Sequence, residues 1–259
     1  PFTANVTDGS VSWRFVCSST LSWIIQDSYA YSVVIDKAAL INGYHGYTMA
    51  DGAATGSSFP IWCWADGLET DHAFGEGILL SGGEGFYASQ GWIGSSLAAN
   101  GVTISGTHKG EINFSSGTRI AANWLHGVSV ASGPVDIQFV GCFIGCNSVA
   151  GSGTYHGVYL GSGVTDVSFS ACKIGKVPGI STNNQGYGLF CDTSTSDIRI
   201  DPSVNFKGNV TGRMTAPLGS VQGVSNFLAS YVDDAAASAG GLAIGDIYRT
   251  DNKLRVRVA

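Results

Sequence analysis

Residues 126–145 read HGVSVASGPVDIQFVGCFIG, and residues 156–175 read HGVYLGSGVTDVSFSACKIG. Laid together without a gap, ten of these twenty positions are identical at an offset of thirty residues. His126-Gly127-Val128 meets His156-Gly157-Val158, Asp136 meets Asp166, Phe139 meets Phe169, and Cys142 meets Cys172. A third copy follows at an offset of thirty-one, with Tyr187-Gly188-Leu189 and then Asp197-Ile198-Arg199-Ile200. A weaker copy, Glu111-Ile112-Asn113-Phe114, precedes Asp136-Ile137-Gln138-Phe139 by twenty-five residues. Repeats of this length mark a solenoid or a related array.

Within each copy short alternating runs, such as 135–140, 167–170 and 198–200, lie between Gly, Ser, Asn and Thr turns. No helical 3.6-residue pattern separates them. Propeller blades need about 40 residues and four strands. Leucine-rich repeats need an Asn ladder and a helix, and neither is read here. A coil of 25–31 residues with three short strands therefore predicts an all-β chain, a right-handed parallel β-helix. Cys142 should then stack on Cys172, Ile144 on Ile174 and Phe139 on Phe169, since a single repeat cannot bury its apolar face.

Working outward, strand-like runs recur at 11–16, 21–25, 31–35, 61–64, 78–80 and 101–104. The Gly-rich stretches 42–58 and 81–94 are read as long loops of irregular early coils. The expected division is a β-helix over 1–216, with regular repeats from about 100 to 210, and an oligomerisation segment over 217–259. In that segment Ser225 caps a helix over 226–239 that Gly240-Gly241 stops. A hairpin follows, pairing 244–249 with 253–258. A lone helix and hairpin are marginal in water, so a partner chain is expected to cover them.

Composition agrees. Among 259 residues 37 are Gly, 12% are charged and 44% are hydrophobic, which excludes a disordered chain. A net charge of −6 leaves no basic footprint for nucleic acid, and no apolar run is long enough to span a membrane. Pro1-Phe2-Thr3 carries neither Met nor a signal core and is read as a cut from a longer polypeptide. The six cysteines are read as buried thiols rather than disulfides.

The chemistry concentrates between Phe59 and Glu84, where Trp62, Cys63, Trp64, Asp66, Glu69, Asp71, His72, Glu76 and Glu84 lie close in sequence. If Ile61 and Cys63 point inward, Trp62 and Trp64 point outward. Outward indoles beside carboxylates suit stacking on sugar rings and hydrogen bonding to hydroxyls. Asp66, Glu69, Asp71 and Glu76 are the candidate acid, base or nucleophile of a glycosidase, with His72 auxiliary; rungs ~4.8 Å apart bring carboxylates near the required separation. Trp62, Trp64, Tyr87, Trp92 and Trp124 are the candidate sugar-binding aromatics. The column Glu111, Asp136, Asp166, Asp197 reads as repeated turn carboxylates, and His126 and His156 as a stacked corner. No metal or cofactor motif is present, so neither a metal nor a cofactor is expected.

The ending 231–241, YVDDAAASAGG, with Asp246-Ile247-Tyr248-Arg249-Thr250 and Val256-Arg257-Val258-Ala259, resembles the C-terminal tail of bacteriophage tail fibres and tailspikes. The resemblance covers about thirty residues. It implies a homotrimer joined through the C-terminal segment, carried on the virion tail tip and recognising a bacterial surface polysaccharide outside the host cell. It transfers no catalytic residue. Two functions remain open: receptor binding alone, or a depolymerase that also cleaves the glycan. A bacterial β-helix adhesin is a third.

Overall fold

A computed structural model describes residues 2–6, 13–17, 25–27, 31–50, 61–105, 108–131, 134–177, 179–180, 182–217, 220–222, 235, 247–250 and 253–256. The chain visits three sheets in fixed rotation. β1 (Phe2–Val6) and β2 (Trp13–Cys17) open the first sheet, β3 (Ile25–Asp27) the second and β4 (Tyr31–Asp36) the third. Next come β5 (Ala38–Ile41), β6 (Tyr47–Met49) and β7 (Ile61–Asp66), then β8 (Glu69–Asp71), β9 (Ile78–Leu80) and β10 (Glu84–Ser89). They are followed by β11 (Trp92–Gly94), β12 (Val102–Ile104) and β13 (Lys109–Ser115), then β14 (Arg119–Ala121), β15 (Val128–Val130) and β16 (Pro134–Val140). The last full rungs are β17 (Phe143–Gly145), β18 (Val158–Leu160) and β19 (Thr165–Ser170), then β20 (Lys173–Ile174), β21 (Tyr187–Cys191) and β22 (Ser196–Ile200). β23 (Gly212–Thr215) and β24 (Val221–Gln222) end the second and third sheets. Only β1 and β2 pair antiparallel within these eight-stranded sheets. The fold is a parallel β-solenoid.

The expected stack is present. Phe139 lies opposite Phe169 and Ile144 opposite Ile174. The rings of Phe86, Phe114, Phe139 and Phe169 follow one another at 5.7, 5.4 and 5.0 Å, all fully buried. Each such contact adds about 1 kcal/mol to the burial of the ring. Cys142 and Cys172 are buried one rung apart, their thiols donating to the Phe114 and Phe139 carbonyls at 3.1 and 3.2 Å.

Two readings change. The stretch 81–94 is not a loop but contains β10 and β11. Its glycines serve close approach: a Cβ on Gly91 would stand 2.6 Å from the Leu68 carbonyl, and one on Gly94 2.7 Å from that of Ala121. Likewise 42–50 holds β6, and 51–58 lie outside the described residues. The in-register pairing therefore reaches back through β5 to β2.

The second correction concerns the amides. Asn123, Asn147, Gln185 and Asn209 form a side-chain ladder along the solenoid. Asn123 Nδ2 donates to Asn147 Oδ1 at 3.0 Å, Asn147 Nδ2 to Gln185 Oε1 at 3.2 Å, and Gln185 Nε2 to Asn209 Oδ1 at 2.7 Å. The first three are fully buried. Beside it runs a glycine column, Gly46, Gly77, Gly101, Gly127, Gly157 and Gly188. A Cβ on any of the first five would stand 2.6–2.9 Å from the carbonyl oxygen of the next.

At the C-terminus β25 (Ile247–Thr250) and β26 (Lys253–Val256) form the expected antiparallel hairpin, Thr250 opposite Lys253. The expected helix over 226–239 lies outside the described residues except for Ala235, which is helical.

Candidate functional site

The outer face of the third sheet carries one in-register row: Val34, Trp64, Tyr87, Asn113, Gln138, Ser168 and Arg199. Its early end is an apolar ridge. Val34 is 73% exposed, and Trp62 and Trp64 are 40% exposed each. As the alternation predicts, Cys63 between the indoles is buried. Trp64 stacks on Tyr87 at 5.8 Å with planes 11° apart, while Trp62 lies 6.1 Å from Trp64 and tilts by 50°. The ridge thus presents ring planes in two orientations.

Trp62 holds an unusual backbone, φ +58°. The corresponding positions of positive φ on other strands of this sheet are Ser32, Gly85, Gly110, Asp166 and Asp197, whereas among the described residues β16, between Gly110 and Asp166, has none. Gly and Asp tolerate that region, whereas a bulky side chain pays about 1 kcal/mol or more. The indole fits because Gly85 lies beneath it: a Cβ there would stand 2.5 Å from Trp62 Cδ1.

Carboxylates line both margins. Asp36 lies opposite Asp66, whose Oδ1 accepts the Ser89 hydroxyl at 2.5 Å. On the other margin Glu111 lies opposite Asp136, and the Tyr87 hydroxyl donates to Glu111 Oε2 at 3.3 Å. Burial, then the negative charges of Glu111, Asp136 and Glu84, hold the Tyr87 phenol above its ordinary range, so it stays a donor. Further along, Arg199 bridges Asp166 and Asp197 at 3.3 and 3.7 Å.

Of the sequence candidates, Trp62, Trp64, Tyr87 and Asp66 meet on this face. The others do not join them. Glu69 sits on the first sheet beside Trp92. Asp71 accepts the Trp92 indole N–H at 3.3 Å and pairs with His72 at 2.8 Å. Glu76 precedes the second sheet and pairs with the buried His45 at 3.0 Å. Burial opposes its ionisation, but bonds from His45 and Thr103 prevail and hold its carboxyl below the usual range. Trp124 is exposed at the corner leading to the second sheet. One coil turns through three faces within about 25 residues, so acids adjacent in sequence point apart.

The stacked corner expected at His126 and His156 is present, their rings 5.2 Å apart, and it continues into an aromatic column with Tyr159 and Phe190 that the sequence reading missed. His126 stacks on Tyr159 at 5.1 Å, Tyr159 on Phe190 at 5.6 Å and His156 on Phe190 at 4.6 Å. Tyr159 and Phe190 stand opposite on β18 and β21, an offset of thirty-one that the third copy already implied. The histidines are acceptors: the His156 backbone N–H donates to His126 Nδ1 at 2.9 Å, and that of Tyr187 to His156 Nδ1 at 3.3 Å. Burial, joined at His126 by the neighbouring His156, pushes both imidazoles down to about 4.

That depression has a sign. The unfolded chain binds protons below ~6.5, whereas the folded imidazoles resist them until about 4. Stability is therefore full above ~6.5 and is lost as pH falls toward 4. Between pH ~7 and ~5 the expected loss is roughly 2 kcal/mol for the pair, allowing for screening of partly exposed rings. Urea midpoints at the two pH values measure it. The double variant His126→Gln/His156→Gln should flatten the slope; an unchanged slope refutes the assignment.

Among the described residues no group of three His, Cys, Asp or Glu side chains is placed to hold a metal ion, and no helix is long and apolar enough to cross a membrane. Compared with family models, curated proteins and solved structures, the chain matches none.

Proposed function

We propose that this solenoid is the glycan-recognising part of a phage tail fibre or tailspike, and that it binds a bacterial surface polysaccharide along the Trp62–Trp64–Tyr87 ridge. In this reading the chain is a homotrimer joined through 217–259 and displayed on the virion, so weak single sites gain from avidity. The observation that carries the proposal is Trp62. A strained, 40% exposed indole is kept where the other positive-φ positions of the column are Ser, Gly or Asp. Rings that stack on sugars, between acceptor-only carboxylates that take hydroxyl donors, form a recognisable sugar-binding surface.

The test separates binding from folding. Trp62→Gly relieves the left-handed strain while losing ring contacts, so its stability should stay within about 1 kcal/mol of the parent. Its affinity for the cognate polysaccharide should fall about tenfold or more, roughly 1.4 kcal/mol, and Trp64→Ala should do the same. Calorimetric titration against a panel of O-antigens and capsular polysaccharides measures this. Full affinity in both variants would sink the site.

A depolymerase remains the second reading, favoured by one observation: Glu111 and Asp136 stand in register beside the Tyr87 hydroxyl. Neighbouring rungs at ~4.8 Å set such a pair near the separation of retaining glycosidases. Size-exclusion profiles of the bound polysaccharide before and after incubation decide between them. A shift to short oligosaccharides that Glu111→Gln abolishes supports cleavage; an unchanged profile leaves recognition alone.

A further inference from the structure

The first sheet turns a different chemistry outward. Trp92, Arg119, Phe143 and Lys173 stand in register on successive strands, so aromatic and cation alternate. The Arg119 guanidinium lies 5.5 Å over the Phe143 ring. The next rung adds Lys207, whose carbonyl accepts the Lys176 backbone N–H at 2.9 Å. Four of the thirteen Lys and Arg residues of an acidic chain gather here, over three rung steps or ~14 Å. Arg119, Lys176 and Lys207 are exposed, and Lys173 is half-buried.

Among the described residues none of the four is in an ion pair with a carboxylate. Arg199 of the third sheet, by contrast, is paired with Asp166 and Asp197. Like charges on neighbouring strands are unfavourable. Lys176 and Lys207 occupy adjacent rungs, Gly208 lying against the Lys176 Cβ, and carboxylates line the third sheet instead. From Arg119 to Lys207 the first sheet thus gathers cations with the Phe143 ring between them, while its acids Glu69 and Asp71 lie earlier, on β8 beside Trp92.

We propose that this ladder is a second binding site, which takes the carboxylate or phosphate groups of an acidic glycan while its sugar rings rest on Trp92 and Phe143. It rests on the reading of the molecule as glycan-binding, but on another face and the opposite charge. Each rung advances ~4.8 Å, so a glycan laid along the row meets Arg119 and Lys173 two rungs apart, with the Phe143 ring between them, and Lys207 one rung further. A long nucleic acid fits less well, because its dense charge would also meet the field of a chain at net −6.

The test uses the full chain and fluorescently labelled hexagalacturonate, hyaluronan hexasaccharide and oligosialic acid, with cellohexaose as the neutral control and oligo-dT as the nucleic acid. Fluorescence polarisation is read at low and high salt, ~20 and ~300 mM. At least one acidic oligosaccharide should bind at low salt and be released at high salt, and cellohexaose should be held at least tenfold more weakly here. Lys176→Gln/Lys207→Gln, and separately Arg119→Gln, should weaken the acidic probe about tenfold. These side chains are at the surface, so an unaltered melting temperature certifies the variants. Binding of no acidic probe, undiminished binding by both variants, or tighter binding of oligo-dT overturns the proposal. Failure of the third-sheet reading shows separately, as full polysaccharide affinity in Trp64→Ala and Trp62→Gly.

Discussion

Asn147→Leu should cost the solenoid about 4 kcal/mol and split its unfolding. Asn147 is fully buried and uses both ends of its amide. Its Oδ1 accepts the Asn123 backbone N–H at 3.1 Å and the Asn123 Nδ2 at 3.0 Å. Its Nδ2 donates to Gln185 Oε1 at 3.2 Å and the Ile120 carbonyl at 3.4 Å. Leucine fills a similar volume and makes none of these bonds. Each buried polar atom left without its partner costs about 1–3 kcal/mol. Some of that is recovered, because Asn123 Nδ2 also reaches the Ile93 carbonyl at 3.3 Å. In a solenoid each rung contacts only its neighbours, so the broken rung uncouples the early coils from the late ones. Urea unfolding followed by fluorescence should show a lower midpoint and a broader or biphasic transition. A loss under about 1 kcal/mol with one sharp transition would mean that the ladder contributes little beyond shape.

That ladder also shows what the sequence hides. The thirty-residue repeat was legible because Val128, Phe139, Cys142 and Ile144 recur at one offset with identical or similar partners. The amides recur at spacings of 24, 38 and 24 residues, from Asn123 to Asn147, Gln185 and Asn209. The chain between the first and second sheets varies in length from coil to coil, which shifts them out of step with the strands around them. The early coils were obscure for another reason. An inward position of the first sheet is filled in turn by Leu40, Thr70, Ile93 and Ile120, so geometry repeats while identity does not. The ridge was half legible. Alternation placed Trp62 and Trp64 outward, but linear clustering of Asp66, Glu69, Asp71 and Glu76 hid that they fall on three faces. Glu111 and Asp136, far from Trp64 in sequence, are the acids that approach Tyr87.

Gly157→Ala should be nearly as damaging, about 3–4 kcal/mol, although it adds one methyl group. That methyl would stand 2.6 Å from the Gly188 carbonyl oxygen and 2.7 Å from Gln185 Nε2, with Ile174 Cγ2 at 3.0 Å. None of these can retreat cheaply. The Gly188 carbonyl belongs to the next rung, and the spacing of the rungs is fixed by backbone bonds on both sides. Gly157 N–H donates to the Tyr187 carbonyl at 2.9 Å, and its own carbonyl accepts the Val128 N–H at 2.9 Å. Relief requires the rungs to splay or Gln185 to leave the amide ladder, and forced overpacking costs ~1–3 kcal/mol before any lost hydrogen bond is counted. Gly117→Ala supplies the contrast: an added Cβ there meets nothing within 4 Å, and only its φ of +85° opposes the change, at about 1 kcal/mol. Thermal and urea unfolding of the two variants separate collision from backbone strain. If Gly157→Ala is no worse than Gly117→Ala, the glycine column is a conformational device and not a packing one. If it is worse, the double variant with Asn147→Leu should cost less than the sum of the singles. Both act on Gln185, one by removing its donor and one by crowding its amide, and shared partners break additivity.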